Sequence, residues 1–311
     1  MKVSEMEKRM TWFEKFDALV EERLPELHIE KDAPMAKYTS FRIGGPAKRM
    51  AFPHSEEDAA ALQEICRELE LRCFVLGKGT NLLVADEGLD YLVLNMTEMN
   101  EIRVEENGKI YAQAGAQLSR IAVQAQQKGY GGFAFAHGIP GSFGGAIAMN
   151  AGAYGGEMKQ VVESVTALFE DGTRTVEGDA LDFGYRHSVF SEENAVILSA
   201  VIALQAAEPE EIRAEMDDLM KRRKTSQPLE FASAGSTFKR PEGHFAGTMI
   251  DQCGLKGTHV GDAEVSTKHA GFVINKGEAS CEDVLALIRQ VQECVKEKFD
   301  VMLEPEVKII R

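Results

Sequence analysis

The sequence predicts an α+β protein assembled from more than one unit. Three observations carry this expectation. Two Gly-containing hairpin signals, Asn107-Gly108 and Asp171-Gly172, sit between alternating apolar runs. A β-α-β start up to the strand CFVLG is followed by a mixed pattern of helical periodicity and alternating runs. At 311 residues the chain is long for one core, and its texture changes near residue 206.

Taken in order, Met6, Met10, Phe13, Phe16, Val20 and Leu24 recur at three- and four-residue steps, so the first thirty residues read as an amphipathic helix. YTSFRIGGPAKRMAF follows, with alternation and a Gly-Gly-Pro turn. A helix opened by Ser55 and Asp58 is carried by Ala59, Leu62, Ile65 and Leu69, and it runs to the strand CFVLG. LDYLVLN and the hairpin EIRVEENGKIYAQAG come next, then a helix from Gln117 to Lys128. After the glycine-rich stretch GIPGSFGGAIAMNAGAYGGEM, VVESVTALFEDGTRTV reads as a hairpin and AVILSAVIAL as a buried strand. EPEEIRAEMDDLMKRRK is a solvated connecting helix, GFVIN a strand, and a long helix starts after Ser280. Pro305 confines the last segment, VMLEPEVKIIR, to an edge strand or a loop-strand junction.

The totals exclude several classes. No apolar run approaches the eighteen residues of a membrane span, and the N-terminus mixes acid and base without an apolar block, so a cytoplasmic location is expected. Five cysteines form no CxxC pair and no zinc spacing, so neither a metal site nor a disulfide framework is expected. A net charge of −15 opposes attraction to nucleic acid and to anionic lipid. Anionic ligands must therefore find local cations, and oligomeric state is not legible.

Neither GxGxxG nor GxxxxGK[ST] occurs, which disfavours a dinucleotide fingerprint or a Walker loop. Two glycine-containing segments remain: Gly77-Lys78-Gly79-Thr80-Asn81 after a strand, and Gly138 to Gly156, whose density reads as a loop shaped around something. Either alone could be a tight structural turn; together they suggest backbone nests of the kind that bind pyrophosphate. On residue type alone, Arg186 in YRHS is a surface ion-pair partner, Ser236 in SAGS a turn serine, and Glu304 and Glu306 solvated carboxylates. His269 reads as structural, and Arg222, Arg223 and Lys224 suit a helix C-terminus with or without a ligand.

The order and wording of these segments say more. YTSFRIGGPA, LGKGTNLLVADEG, AGAQLSRIA, GIPGSFGGAIAMNAGAYGGE, YRHSVF, QPLEFASAGSTFKRP, HAGFVIN and PEVKII together resemble the UDP-N-acetylenolpyruvoylglucosamine reductases, also called UDP-N-acetylmuramate dehydrogenases, from about Tyr38 to Ile310. The resemblance implies an FAD-binding fold of the p-cresol methylhydroxylase type in two subdomains, residues 1–96 and 97–206, with the C-terminal strand 300–311 returning near the first. It implies a C-terminal α+β substrate domain over 207–299, non-covalent FAD, NADPH as reductant and a place in peptidoglycan precursor synthesis. The family's catalytic arginine, serine and glutamate fall on Arg186, Ser236 and Glu306. FAD contacts fall on Gly77, Lys78, Gly79, Thr80, Asn81, Leu82, Gly141, Ser142 and Asn150, with Tyr38 also carried. Arg223 and Lys268 are candidates for the substrate's diphosphate. SAGS departs from the family's commoner NPGS, and the short spacing from Arg186 to Ser236 is similar to the compact type II branch.

Reducing an enolpyruvyl ether requires hydride at C3, a proton at C2 and stabilisation of charge on the carboxylate. A planar guanidinium suits the carboxylate and a hydroxyl the proton. A glutamate that donates a hydrogen bond must be protonated, so burial is expected to raise the pKa of Glu306. Two competing readings are an FAD-dependent sugar or alcohol oxidase of the same fold, with flavin bound through a histidine, and a non-enzymatic nucleotide-binding protein.

Overall fold

The structure is a computed structural model that describes residues 10–311, so the first part of the expected N-terminal helix, including Met6, lies outside the described residues. Within them the helix runs Trp12–Arg23, capped by Thr11 with a reciprocal Glu14 bond. It stops well short of residue 30. Pro25 follows Leu24 and removes the helical option for its predecessor, and His28–Pro34 is a strand instead.

The chain forms two compact units. The first comprises the described part of Met1–Ala33 with Lys48–Gly77 and Asp90–Leu219; the second comprises Pro34–Ala47, Lys78–Leu89 and Met220–Arg311. The passage from one to the other lies within helix Pro209–Ser226, whose Ile212 and Met216 pack into the first unit's core.

The first unit carries two larger sheets. One orders the strands His28–Pro34, Pro46–Phe52, Leu89–Asn95 and Cys73–Leu76, with the last two parallel. Helix Glu56–Glu68, capped by Ser55, buries Ala59, Leu62, Ile65 and Cys66 beside Phe16 and Val20 of the N-terminal helix. The other sheet is wholly antiparallel, in the order Gly172–Glu177, Val162–Phe169, Val196–Ala203, Lys109–Gln113, Ile102–Val104. Both expected hairpins are present in it. Helix Leu118–Gln127 buries Leu118, Ile121, Ala122 and Ala125 in the core that this sheet shares with Phe143 and Ile147.

The second unit holds a four-stranded antiparallel sheet, Ala232–Ser233, Val273–Asn275, Ala263–Val265, His259–Val260. Helix Cys281–Phe299, opened by a Ser280/Asp283 capping box, packs Val284, Leu287, Ile288, Val291 and Val295 into its core. Asp86 adds a second N-terminal cap, accepting from Cys281 N at 2.8 Å. The C-terminal strand Lys308–Ile310 pairs in parallel with Leu82–Val84. All five cysteines are free thiols. Among the described residues no helix is long and apolar enough to cross a membrane.

One ion pair fixes the edge of the first unit. Arg49, only 6% exposed, sends Nε and Nη2 to the two Asp17 oxygens at 2.6 and 2.8 Å, while Lys31 Nζ reaches Asp17 Oδ2 at 2.8 Å. Burial pushes the Asp17 carboxyl up, but the bonds from Arg49 and Lys31 outweigh it and hold the carboxyl below its ordinary range. A depressed carboxylate stabilises the fold above its unfolded pKa of about 3.9 and loses that contribution as pH falls through the folded value. Asp17→Asn is expected to lower stability at pH 7 by about 3 kcal/mol, because it strands a buried guanidinium. The variant's urea midpoint should also fall less than the parent's between pH 5 and pH 3; parallel losses in the two proteins would exclude the pair as a source of acid sensitivity.

Candidate active site

The glycine-rich stretch is not simply a loop. Phe143–Ala148 is a short helix and Gly152–Ala153 pairs with Gly156–Glu157 in a small hairpin. Glycine serves close packing in the helix: a Cβ on Gly144 would lie 2.7 Å from that of Ala114. Phe143 N and Gly144 N donate to the carbonyls of Ala116 and Ala114, each at 2.8 Å, so the helix start is stitched to the neighbouring chain. The positive φ values fall nearby on Asn150 (42°), Tyr154 (55°) and Gly155 (91°).

The two glycine segments meet. Gly77 lies so close to Ser142 that an added Cβ would overlap Ser142 Oγ, and Ser142 is buried. Gly141, next to it, is held by its N–H on Ile139 O and by its carbonyl under Leu118 N. Further along the first loop Gly79 has φ 61°, with its Cα against the Tyr38 carbonyl, which leaves room for no side chain. The carbonyls of Gly79 and Asn81 accept from Ser40 N and Lys308 N, each at 3.0 Å. No protein acceptor among the described residues takes the N–H groups of Lys78, Gly79 or Thr80. Leu82 begins the strand that follows and is buried.

Arg186 occupies a two-residue turn in the first unit. Gly184 and His187 pair across its base, by N–H to O bonds of 3.1 and 3.4 Å, and Arg186 takes φ 56°. Asn150 is 2% exposed, and its Nδ2 donates to Gly184 O at 2.9 Å and to Glu157 Oε2 at 2.8 Å. Its Oδ1 accepts from Lys159 N at 2.9 Å. Ser188, fully buried, donates to Ala148 O at 2.8 Å.

Ser236 and Glu306 belong to the second unit and lie on adjoining segments. Glu306 N donates to Thr237 O at 2.8 Å, Lys239 N to Glu304 O at 2.8 Å, and Phe238 bridges Pro305. Asn81 Nδ2 reaches Glu306 O at 3.1 Å, so the first glycine loop, the serine turn and the C-terminal glutamate converge. Gly235 has φ 76°, and Ser236 is exposed beside a buried Thr237 whose Oγ1 accepts from Val273 N. Ser40 ties Tyr38's short helix to the same turn, donating to Ser233 O at 2.7 Å. The diphosphate candidates are also neighbours: Lys268 Nζ donates to Lys224 O at 2.8 Å, one residue from Arg223, and lies 3.7 Å from Glu230. His269 is structural, accepting from Gly271 N, and burial lowers its pKa.

Comparison with known proteins identifies the chain. Residues 227–310 match the family model described as UDP-N-acetylenolpyruvoylglucosamine reductase, C-terminal domain, and residues 47–176 match an FAD binding domain. A curated reductase of that name from Clostridium novyi is 48% identical over 292 residues, covering 94% of this chain and 95% of that one. The chain belongs to the UDP-N-acetylenolpyruvoylglucosamine reductase family. Its relative from Limosilactobacillus reuteri is 47% identical over 92% of this chain and 96% of its own. The crystal structure of the reductase from Thermus caldophilus matches with a TM-score of 0.78 at 33% identity, covering 92% of this chain and 99% of that one. The α+β class and the FAD-binding domain expected from the sequence therefore hold.

The residues present fit a bound FAD. In the second unit Lys78 to Thr80 offer unengaged N–H donors. In the first unit Gly77 leaves a cradle that a Cβ would fill, and His137 Nδ1 is buried without a hydrogen-bond partner just before Gly138. His137, Thr237, Ser188 and Ser40 were not singled out by sequence. Only His137 had a signal there, as the sole ionisable side chain at the mouth of the glycine segment. Gly77→Ala is expected to cut the FAD content of purified protein at least tenfold, read as visible absorbance per chain. Adding Ser142→Gly, which removes the atoms in the way, should restore part of it. Full flavin content in Gly77→Ala would show that this contact plays no part in holding the cofactor.

Proposed function

We propose that the protein reduces UDP-N-acetylglucosamine enolpyruvate to UDP-N-acetylmuramate, with NADPH as reductant and non-covalent FAD, in peptidoglycan precursor synthesis. What supports this most directly is the full-length likeness to reductases of that name, joined to the backbone bond by which Glu306 meets the Ser236 turn. We retain with it the division into FAD subdomains 1–96 and 97–206, with strand 300–311 beside the first, and a substrate domain over 207–299.

FAD, when bound, would supply the hydride chemistry that links NADPH to C3 of the enolpyruvyl group. The chain's residues do the rest. Lys78, Gly79 and Thr80 would cradle the cofactor's diphosphate through backbone N–H groups, with Tyr38, Gly77, Asn81, Leu82, Gly141 and Ser142 shaping the surroundings. Arg186 pairs through its planar fork with the substrate carboxylate, where charge develops after hydride arrives. Glu306 shares a proton with that carboxylate. Ser236 Oγ delivers the proton to C2; Gly235, at positive φ, turns the chain so that this hydroxyl stands exposed. Arg223 and Lys268 compensate the substrate's diphosphate in a chain whose net charge is −15.

Ser236→Ala is expected to leave reduction of the flavin by NADPH within about twofold, while reoxidation by the enolpyruvyl substrate falls by ~10² to 10⁴. Stopped-flow absorbance separates the two half-reactions. Unimpaired reoxidation would remove Ser236 from the mechanism. Flavin that stays with the denatured chain would instead favour the covalent oxidase reading.

A further inference from the structure

The sequence points to Asn150 as a contact of FAD, yet its side chain is spent elsewhere. Both amide hydrogens are donated, to Gly184 O at 2.9 Å and Glu157 Oε2 at 2.8 Å, and Oδ1 accepts from Lys159 N at 2.9 Å. The amide has one orientation consistent with these partners, because Gly184 O and Glu157 only accept and Lys159 N only donates. Gly184 is the first residue of the turn that carries Arg186. Ser188, one residue beyond the turn's other end at His187, is tied to Ala148 O at 2.8 Å. Asn150 and Ala148 stand two residues apart at the end of helix Phe143–Ala148.

We propose that Asn150 is a positioning residue for Arg186: with Ser188 it pins both ends of the Arg186 turn to the glycine-rich segment, and it serves substrate reduction through that arginine rather than by side-chain contact with FAD. The proposal rests on the reading of Arg186 as partner of the substrate carboxylate. The turn is short and tightly bent, with Tyr185 59% exposed, Arg186 half-buried at φ 56°, and only the Gly184–His187 pair closing its base. An arginine must be held within about 0.5 Å for its fork to meet a carboxylate in the transition state. Buried, fully satisfied hydrogen bonds at the two feet of the turn supply that constraint.

Asparagine is also the residue type the position requires. It tolerates φ 42°, and no other short side chain brings two donors and an acceptor. Aspartate would set a second carboxylate against Glu157 and against the Gly184 carbonyl, so it should disturb the turn more than outright removal. Glycine removes the tether while suiting the positive φ.

The test uses holoenzyme in stopped flow, with Asn150→Gly, Asn150→Asp and Ser188→Ala, alone and combined with Arg186→Ala. FAD per chain and the rate of reduction by NADPH should stay within about twofold of the parent, while reoxidation by UDP-N-acetylglucosamine enolpyruvate slows about 10- to 100-fold, the scale of a 1 Å misplacement. Asn150→Asp should be the slowest of the three. In the Arg186→Ala background, adding Asn150→Gly should change reoxidation by less than about twofold, because the group it positions is gone. The proposal is overturned by loss of FAD, by equal slowing of both half-reactions, or by effects that multiply in the Arg186→Ala background. If thermal melting shows that the Asn150 variants do not fold, Ser188→Ala, which deletes a single hydroxyl, carries the same comparison. Parental reoxidation by Arg186→Ala alone sinks the underlying role of the arginine, an outcome distinct from any failure of Asn150.

Discussion

Chain segments approach one another here at distances that only a residue without a side chain allows, and the rest of the site follows from that. Gly77 rests on Ser142, Gly79 on the Tyr38 carbonyl, Gly115 on the Met96 carbonyl, and Gly144 within 2.7 Å of Ala114 by the measure of an added Cβ. Each contact joins segments separated in sequence, and in the first glycine loop the N–H groups of Lys78, Gly79 and Thr80 are left without a protein acceptor among the described residues. That is the arrangement a diphosphate needs, since its oxygens must reach the donors directly. The cost is conformational entropy, which glycine loses more heavily than other residues on folding. The surrounding apolar core offsets it, with Phe143, Ile147 and Phe133 each buried to within 1%.

Polar groups buried around the nominated residues are satisfied with little left over. Thr237 uses its hydroxyl, N–H and carbonyl to bind Val273, Gly271 and Glu306, so the serine turn and the C-terminal segment share one scaffold residue. Asn275 performs a similar task one strand away, accepting from Gly277 N and Ala279 N and donating to Phe41 O. Such networks hold a single geometry because any rotation strands a buried donor or acceptor. The catalytic candidates themselves sit on loops, where the chain can present a side chain to solvent, and the satisfied groups beneath supply the stiffness that the loops lack.

Most of the architecture was legible because it rests on local rules. Ser55 and Ser280 open the helices that their capping patterns predict, and Asn107-Gly108 and Asp171-Gly172 turn the hairpins that their type predicts. The N-terminal helix is shorter than its apolar periodicity through Leu24 predicts because Pro25 ends it. The glycine-rich stretch predicts a loop from its composition, and its helix Phe143–Ala148 owes nothing to propensity. Gly144 and Gly145 are poor helix formers, and what holds them is the contact with Ala114 and the two N–H bonds to that neighbouring chain. Tertiary contacts of this kind have no trace in a local window. The engagement of Asn150 was hidden for the same reason, since its partner Gly184 is 34 residues away. Residue type and spacing alone do not single out Arg186, Ser236 or Glu306; family resemblance does, and the contacts that support them are tertiary.

The second unit is stitched from three pieces of chain, and its last stitch is the pairing of Lys308–Ile310 with Leu82–Val84. Asn81 and its partner Glu306 are 225 residues apart. On the ribosome the early strand therefore emerges long before the strand that completes it, and synthesis runs at roughly 5 to 20 residues per second. For that interval Leu82, Leu83 and Val84, all buried in the finished protein, have no edge to pair with. The first unit ends at Leu219 and can close around its own sheets before then. The glycine loop at Asn81 can thus be locked by the Glu306 segment only after a further 225 residues have been made.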